Sequence, residues 1–255
     1  MREVLEALQA GEMSVQEAEA ALAGYATTES GRFDAARETR RGVPEAILGD
    51  GKTPDEIADL AATAVETTGR ALVTRADDAD VAAVREHLSV EHPDATVTHH
   101  ERSGVVVVHA PDFEPPDIDA SVAVVSAGTS DAVPVGEAAT VAAEMGADVQ
   151  RVEDVGVANI DRMLDRVEDV READVVIVAA GREGALPTVV AGLVAAPVIG
   201  LPVGTGYGFG GEGEAALTGL LQSCTVLSVV NIDAGFVAGA QAGLVARAVA
   251  GVAGE

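Results

Sequence analysis

Two side chains stand out as able to carry covalent or proton-transfer chemistry. The stretch LTGLLQSCTVLSVVNID, residues 217 to 233, contains the chain's single cysteine, Cys224. It lies where an apolar helical segment gives way to a β-branched, strand-like one. A thiolate is a soft nucleophile and a good leaving group. A thiol in such a place can equally be a small hydrophobe in a core. The end of a helix disfavours the ionised form, because the helix dipole is negative there. The second side chain is Glu183, in the tight turn GREGALP beyond a wholly apolar strand. A partly desolvated carboxylate there suits a general base. It can also be simply a helix-start charge that complements the dipole.

Loops rich in Gly and short polar residues surround these two. They are SAGTSDAVP with Ser126, Gly128, Thr129, Ser130 and Asp131, AAGREGALP with Gly181 and Gly184, VGTGYGFGGEGE with Gly206, Tyr207 and Gly208, and NIDAG with Asn231 and Asp233. Free N–H groups at helix starts behind such loops bind anions, so the set points to a phosphate-bearing ligand. The same residues also serve as ordinary helix caps. Gly206, Gly208 and Gly211 match G-x-G-x-x-G, and Asp233 ends the next apolar run, where a ribose-binding acid would sit. A Rossmann-type dinucleotide-binding protein is therefore an alternative, although the match falls late in its domain. Arg37 and Arg40 share a face if DAARETRR is helical. They are placed to clamp an anion or to pair with Glu38 or Glu45. Lys52, the sole lysine, is a weaker candidate. The five histidines, at 87, 92, 99, 100 and 109, lie outside these loops. A histidine triad or a metal cluster thus has no support there. No acidic pair marks a magnesium site, and Mg2+ is left as an option for neutralising phosphate charge.

The elements that position these loops follow from periodicity. SVQE from Ser14 and TPDE from Thr53 have capping-box spacing, the second with Pro54 at the first helical position. The second helix runs to about Gly69. ALVTRA, ATVTHH and GVVVVHA read as strands, with a helix near 78–90. The three prolines of PDFEPPD, 111–117, make it the best linker. Beyond it, SVAVVS, ADVQRV, DVVIVAA, APVIGLPV and TVLSVVNI are apolar runs of strand length. Helical segments near 132–146, 159–172, 186–196, 212–223 and 236–252 alternate with them. That alternation predicts a parallel sheet covered on both faces. The expected organisation is a small mixed α/β N-terminal domain over 1–117 and a parallel α/β catalytic domain over 118–255. In a parallel sheet, ligands bind at the carboxyl ends of the strands, where the four loops lie. The Ala- and Gly-rich helices suit close packing, either on the sheet or between subunits.

Composition limits the functions available. Sixteen basic and 42 acidic residues give a formal charge of -26, and aromatics are 2 % with no Trp. Such a surface on a normal apolar core fits a salt-adapted cytoplasmic protein whose self-repulsion is screened by ions. It argues against nucleic-acid binding, which needs clustered cations. One cysteine cannot form an internal disulfide. Pro187, Pro197 and Pro202 interrupt the most apolar stretch, so no membrane span is expected, and MREVLEALQAGEMS lacks the form of a signal peptide.

The quoted motifs resemble a known family. SAGTSD, DVGVANIDR, AAGREGALPTVVAGLVAAPVIGLPVGTGYG, LLQSCTVLSVVNIDAGFVAGAQA and FDAARETRRGVPEAILGDGKT are similar to the LarB family, over about residues 5 to 252. The resemblance implies synthesis of pyridinium-3,5-biscarboxylic acid mononucleotide, the first intermediate of the nickel-pincer cofactor. The second domain also resembles the purine carboxylases acting on aminoimidazole ribonucleotide, which implies a flavodoxin-like sheet and an octamer. Their phosphate-binding turn is matched by Gly128, Thr129, Ser130 and Asp131. Their catalytic His, directly before Leu-Pro, is replaced here by Ala185.

The implied substrate is nicotinic acid adenine dinucleotide, with CO2 or bicarbonate as co-substrate, AMP as product and no tightly bound cofactor. A pyridinium C5 cannot attack CO2. After a thiolate adds at C4, the dihydropyridine C5 is an enamine carbon that can. The resemblance assigns Cys224 as that nucleophile and Glu183 as the base that removes the C5 proton.

Overall fold

The computed structural model describes residues 2–251, which divide into two compact units between Glu114 and Pro115. The division falls inside the proline-rich 111–117 stretch.

The first unit begins with α1 (Arg2–Ala10) and α2 (Val15–Ala23), followed by β1 (Ala26–Thr27), β2 (Arg32–Phe33), α3 (Arg37–Arg41) and β3 (Ile47–Leu48). Then come α4 (Pro54–Thr68), β4 (Arg70–Thr74), α5 (Asp78–Glu91), β5 (Thr96–His100) and β6 (Val105–His109). The α4 start is the capping box expected from TPDE. Glu56 N donates to Thr53 Oγ1 at 3.3 Å, and Thr53 N donates to Glu56 Oε2 at 2.7 Å. Asp77 and Asp80 form a second box at α5. The sheet order is β3-β4-β6-β5, parallel between β3 and β4 and antiparallel elsewhere. Ile57, Ala61, Ala64, Val73, Val84, Val106 and Val108 form its core. The stretch 26–52 carries no strong periodicity in the sequence, and only DAARETRR within it is considered as a helix. It supplies β1, β2, α3 and β3, elements of two to five residues held by packing and not by periodicity.

The second unit alternates strand and helix: β7 (Ser121–Ser126), α6 (Ala132–Glu144), β8 (Asp148–Val152), α7 (Asp161–Leu164), α8 (Val167–Arg171), β9 (Val175–Ala180), α9 (Ala185–Ala191), β10 (Val198–Pro202), α10 (Glu214–Leu221), β11 (Ser228–Val229) and α11 (Gly235–Val249). All strands are parallel, in the order β11-β10-β9-β7-β8. Numbered from the first strand of this sheet, that is 2-1-3-4-5, the flavodoxin-like order. One face is filled by Val122, Val124, Ile177 and Leu201 against α6 and α11, the other by Val125, Val176 and Val178 against Met163, Val170, Leu186 and Val190.

Two boundaries differ from the sequence reading. The helix expected near 159–172 is a 3-10 turn (Val157–Asn159) plus α7 and α8, because only Met163 and Val170 of those two helices are buried. The strand expected over 225–232 is two residues long, because β11 is an edge strand that pairs only with β10. The small residues of α11 face α6 within the same chain. A Cβ at Gly239 would lie 2.4 Å from Ala138 O, and one at Gly243 would lie 2.6 Å from Met145 Sδ. That stripe is therefore taken up by intrachain packing and is not left for a subunit contact. No helix of the described residues is long and apolar enough to cross a membrane.

Candidate active site

In a 2-1-3-4-5 sheet the chain reverses direction between β7 and β9, which opens a crevice at their carboxyl ends. A cavity of about 370 Å³ lies there. Its lining comes from the segments that follow β7 (Gly128, Ser130, Asp131), β8 (Gly156 and, on α7, Arg162), β9 (Gly181, Arg182, Glu183 and, at the start of α9, Ala185) and β10 (Thr205).

Asp131 joins two of these loops. Its side chain is 2 % exposed. It accepts from Gly128 N at 2.9 Å and from Thr205 Oγ1 at 3.0 Å, and Ser130 Oγ approaches at 3.4 Å. The carboxylate closes the Gly-Thr-Ser-Asp turn and ties it to the glycine-rich loop. Thr129 and Ser130 remain exposed at the turn, before α6. Ser126 is buried beneath, at the end of β7. Two glycines are required by close approach. A Cβ at Gly181 would meet Thr205 O at 2.3 Å, and Gly184 combines φ +65° with a Cβ site 2.8 Å from Ala216 O.

Two arginines not singled out from the sequence line this cavity. Arg162 is held by Asp154 Oδ1 at 3.0 Å and donates to Gly156 O at 3.3 Å. Its Nε is buried without a hydrogen-bond partner. An unsatisfied guanidinium N–H beside an open cavity is suited to an anion. Arg182 has φ +52°, a left-handed conformation that costs a non-glycine residue about 1–2 kcal/mol. Its guanidinium lies 4.3 Å from the Tyr207 ring centroid and donates to Tyr207 Oη at 3.1 Å. The available signal was an arginine in each of the motifs DVGVANIDR and AAGREG, in a chain that is otherwise strongly acidic.

Glu183 lines the cavity as expected, but it is exposed. The burial expected from the GREGALP turn is absent at Glu183 and falls on Gly184 beside it, which is buried at φ +65°. Ala185 lines the same cavity, and no imidazole does. Cys224 is exposed too. Ser223 on one side accepts from Thr188 Oγ1 at 2.9 Å, and Thr225 Oγ1 lies 2.8 Å from Ser223 Oγ. These inward hydroxyls hold the turn to α9 and leave the thiol outward. Cys224 is thus not a core residue, and it is not among the residues lining the Glu183 cavity.

The remaining expected residues have other local roles. Asp233, at φ +53°, accepts from Gly204 N at 2.9 Å and secures the start of the glycine-rich loop. Asn231 is exposed and caps its own turn through Ile232 N. Gly206 and Tyr207 line a second cavity, and Gly208 sits between that cavity's aromatic residues with φ +85°. Gly206, Gly208 and Gly211 follow the fourth strand of the sheet and not its first, where a Rossmann fingerprint acts. In the first unit, Arg37 pairs with Glu45 at 2.8 Å, Arg40 with Asp34 at 2.5 Å, and Lys52 Nζ donates to Leu48 O at 2.7 Å. Glu45 sits above the usual carboxylate range because burial outweighs the attraction of Arg37. Of the local pairs expected with Glu38 or Glu45, only Arg37–Glu45 forms; Arg40 pairs with Asp34, and Glu38 pairs with Arg70. Among the described residues no group of three His, Cys, Asp or Glu side chains is placed to hold a metal ion.

Comparison with known proteins agrees with this architecture. Residues 25–110 match a LarB/PurE-like N-terminal domain, and residues 121–255 match AIR carboxylase. An uncharacterized protein of Methanocaldococcus jannaschii is 36 % identical over 256 residues, covering 97 % of each chain. With its LarB/PurE-like first domain and its purine-carboxylase-like second, the chain belongs to the LarB family, a carboxylase-type family.

Proposed function

We propose that the protein carboxylates C5 of the pyridinium ring of nicotinic acid adenine dinucleotide and hydrolyses the phosphoanhydride, yielding pyridinium-3,5-biscarboxylic acid mononucleotide and AMP. The observation that carries this reading is a cavity, in a domain similar to AIR carboxylase, lined by a carboxylate, Glu183, and two guanidiniums, Arg162 and Arg182, but no imidazole. The guanidiniums and the Gly128 turn supply charge and N–H groups for a phosphate-bearing substrate.

The chemistry balances without an external oxidant. The Cys224 thiolate bonds to C4, and the ring electrons neutralise the pyridinium nitrogen. The enamine C5 then forms a bond to CO2, leaving an iminium at N1–C6. Glu183 takes the C5 proton, which restores the dihydropyridine. The C4–S bond breaks with its electron pair returning to sulfur, and the ring is again a pyridinium. Water adds to the phosphoanhydride to release AMP. Exposure of Cys224 suits a group that must reach a ligand, and the cationic ring offsets the unfavourable helix-end position of the thiolate. The expected setting is cytoplasmic, at high salt, with the chain acting as a homo-oligomer. Leu221 and Val226 beside Cys224, and Val237, Leu244 and Val249 on α11, are exposed apolar residues available to a second copy.

The competing reading, carboxylation of aminoimidazole ribonucleotide, is favoured by the AIR carboxylase match and opposed by Ala185. Incubation with nicotinic acid adenine dinucleotide and labelled bicarbonate in molar KCl, with product mass measured, tests both. A doubly carboxylated mononucleotide plus AMP is expected, with no turnover of aminoimidazole ribonucleotide. Efficient turnover of the purine substrate reverses the assignment. Cys224→Ser should lose carboxylation by several orders of magnitude while retaining dinucleotide binding.

A further inference from the structure

The chain has four Phe, two Tyr and no Trp. Two of those six aromatics stand on one loop, with Tyr207 80 % exposed and Phe209 fully exposed. Residues 204–213 read GTGYGFGGEG, so each aromatic is flanked by glycine on both sides. Tyr207 and Phe209 line a second cavity of about 310 Å³, with Gly210, Gly211 and Ala215. Arg182 and Glu183 line both cavities and so form the wall they share. The Arg182 guanidinium lies over the Tyr207 ring and donates to its hydroxyl. A cation thus stands between a polar, glycine-rich pocket and an aromatic one.

A single phosphorylated ring would need only the first cavity. An aromatic pocket directly beyond a guanidinium suits a ligand with a second flat heterocycle across a phosphate bridge. Every nucleobase offers a π-face, and stacking on an exposed aromatic is a common way to hold one. We propose that the Tyr207–Phe209 loop is the subsite for the purine base of the leaving nucleotide, with Arg182 at the phosphate bridge and Phe209 as the principal stacking residue. This rests on the dinucleotide reading above and extends it to the half of the substrate that is not carboxylated. Phe209, which has no packing role in the chain, then acts in substrate selection. Glycines beside both aromatics let the loop adjust to a ring placed against it.

The test is calorimetric titration of the wild type, Phe209→Ala and Phe209→Trp with three probes: nicotinic acid adenine dinucleotide, nicotinic acid mononucleotide and AMP. The wild type should bind the dinucleotide more tightly than the mononucleotide, and should bind AMP alone. Phe209→Ala should weaken the dinucleotide and AMP by about ten- to a hundredfold, the loss expected for one stacked base, and leave the mononucleotide unchanged. Phe209→Trp should retain binding. Equal losses for mononucleotide and dinucleotide, or none for either, overturn the proposal. So does a change in assembly mass on Phe209→Ala in light scattering, which would make the loop a contact between copies. AMP binding that depends on Phe209, in a protein that fails to carboxylate the dinucleotide, would sink the reaction but keep the subsite. Carboxylation with no dependence of affinity on Phe209 would do the reverse.

Discussion

Asp131→Asn offers the sharpest test of how the two loops of the cavity are joined. The buried carboxylate accepts from Gly128 N and Thr205 Oγ1 at 2.9 and 3.0 Å. An asparagine can keep its oxygen toward Gly128, whose N–H has no freedom to reverse. Its amide NH2 then faces Thr205, whose hydroxyl can rotate to accept. Geometry survives, and both bonds lose their charge. A hydrogen bond to a charged group contributes about 1.5–3 kcal/mol and a neutral one about 0.5–1.5 kcal/mol, so two downgraded bonds cost about 2 kcal/mol. For a unit of this size that corresponds to a Tm roughly 4–8 °C lower. Removing one negative charge from a chain at -26 works the other way, so thermal unfolding is best followed in molar KCl, where the Debye length is about 3 Å. A double-mutant cycle with Thr205→Val isolates the shared bond and should show a coupling of about 1 kcal/mol. A Tm within about 1 °C of wild type, or strict additivity in the cycle, would refute the claim that Asp131 ties the turn to the glycine-rich loop.

Cys224 does not line the cavity that holds Glu183, so co-expression of Cys224→Ser with Glu183→Gln asks whether the two act in one site built by neighbouring copies. Partial recovery of carboxylation by the mixture, each variant alone being inactive, is the expected outcome, and no recovery in mixed assemblies would place both groups in one chain. Gly239→Val should lower the unfolding free energy by about 1–3 kcal/mol or more, read as a lower denaturation midpoint, since a Cβ there would sit 2.4 Å from Ala138 O, and an unchanged midpoint would mean that α6 and α11 are not held in this register. Burial raises the Asp59 carboxyl, but hydrogen bonds from Ser30 and Thr28 outweigh it and hold the group below its ordinary value of 3.8. Its contribution is therefore present above that value and lost as pH falls through the lower, folded value. Asp59→Asn should flatten the acid limb of the stability profile, and an identical acid limb would remove Asp59 from that role.

Most of the second unit's framework was legible in the amino-acid order. Continuous runs such as SVAVVS and DVVIVAA are buried on both faces, so their apolar character is set by burial of every residue and needs no knowledge of neighbours. The capping box at Thr53 is equally local, because all its partners lie within three residues. The Gly128 turn, Gly181 and Glu183 could be placed at strand ends for the same reason: a loop that follows a parallel strand has only one end of the sheet to occupy.

Only the tertiary structure decided how far each side chain reaches. Burial of Glu183 depends on the path of the chain after Gly184, which no local pattern encodes, and the carboxylate is exposed. The position of Cys224 depends on Ser223 meeting Thr188 across 35 residues of sequence, a contact that turns the thiol outward. Arg162 lines the cavity from α7, where its guanidinium meets Asp154 and Gly156 O in the loop after β8. Arg182 meets Tyr207 across 25 residues. Pairings of this kind are set by chain crossings and sheet order, whereas sequence periodicity reports only which face of one element is apolar.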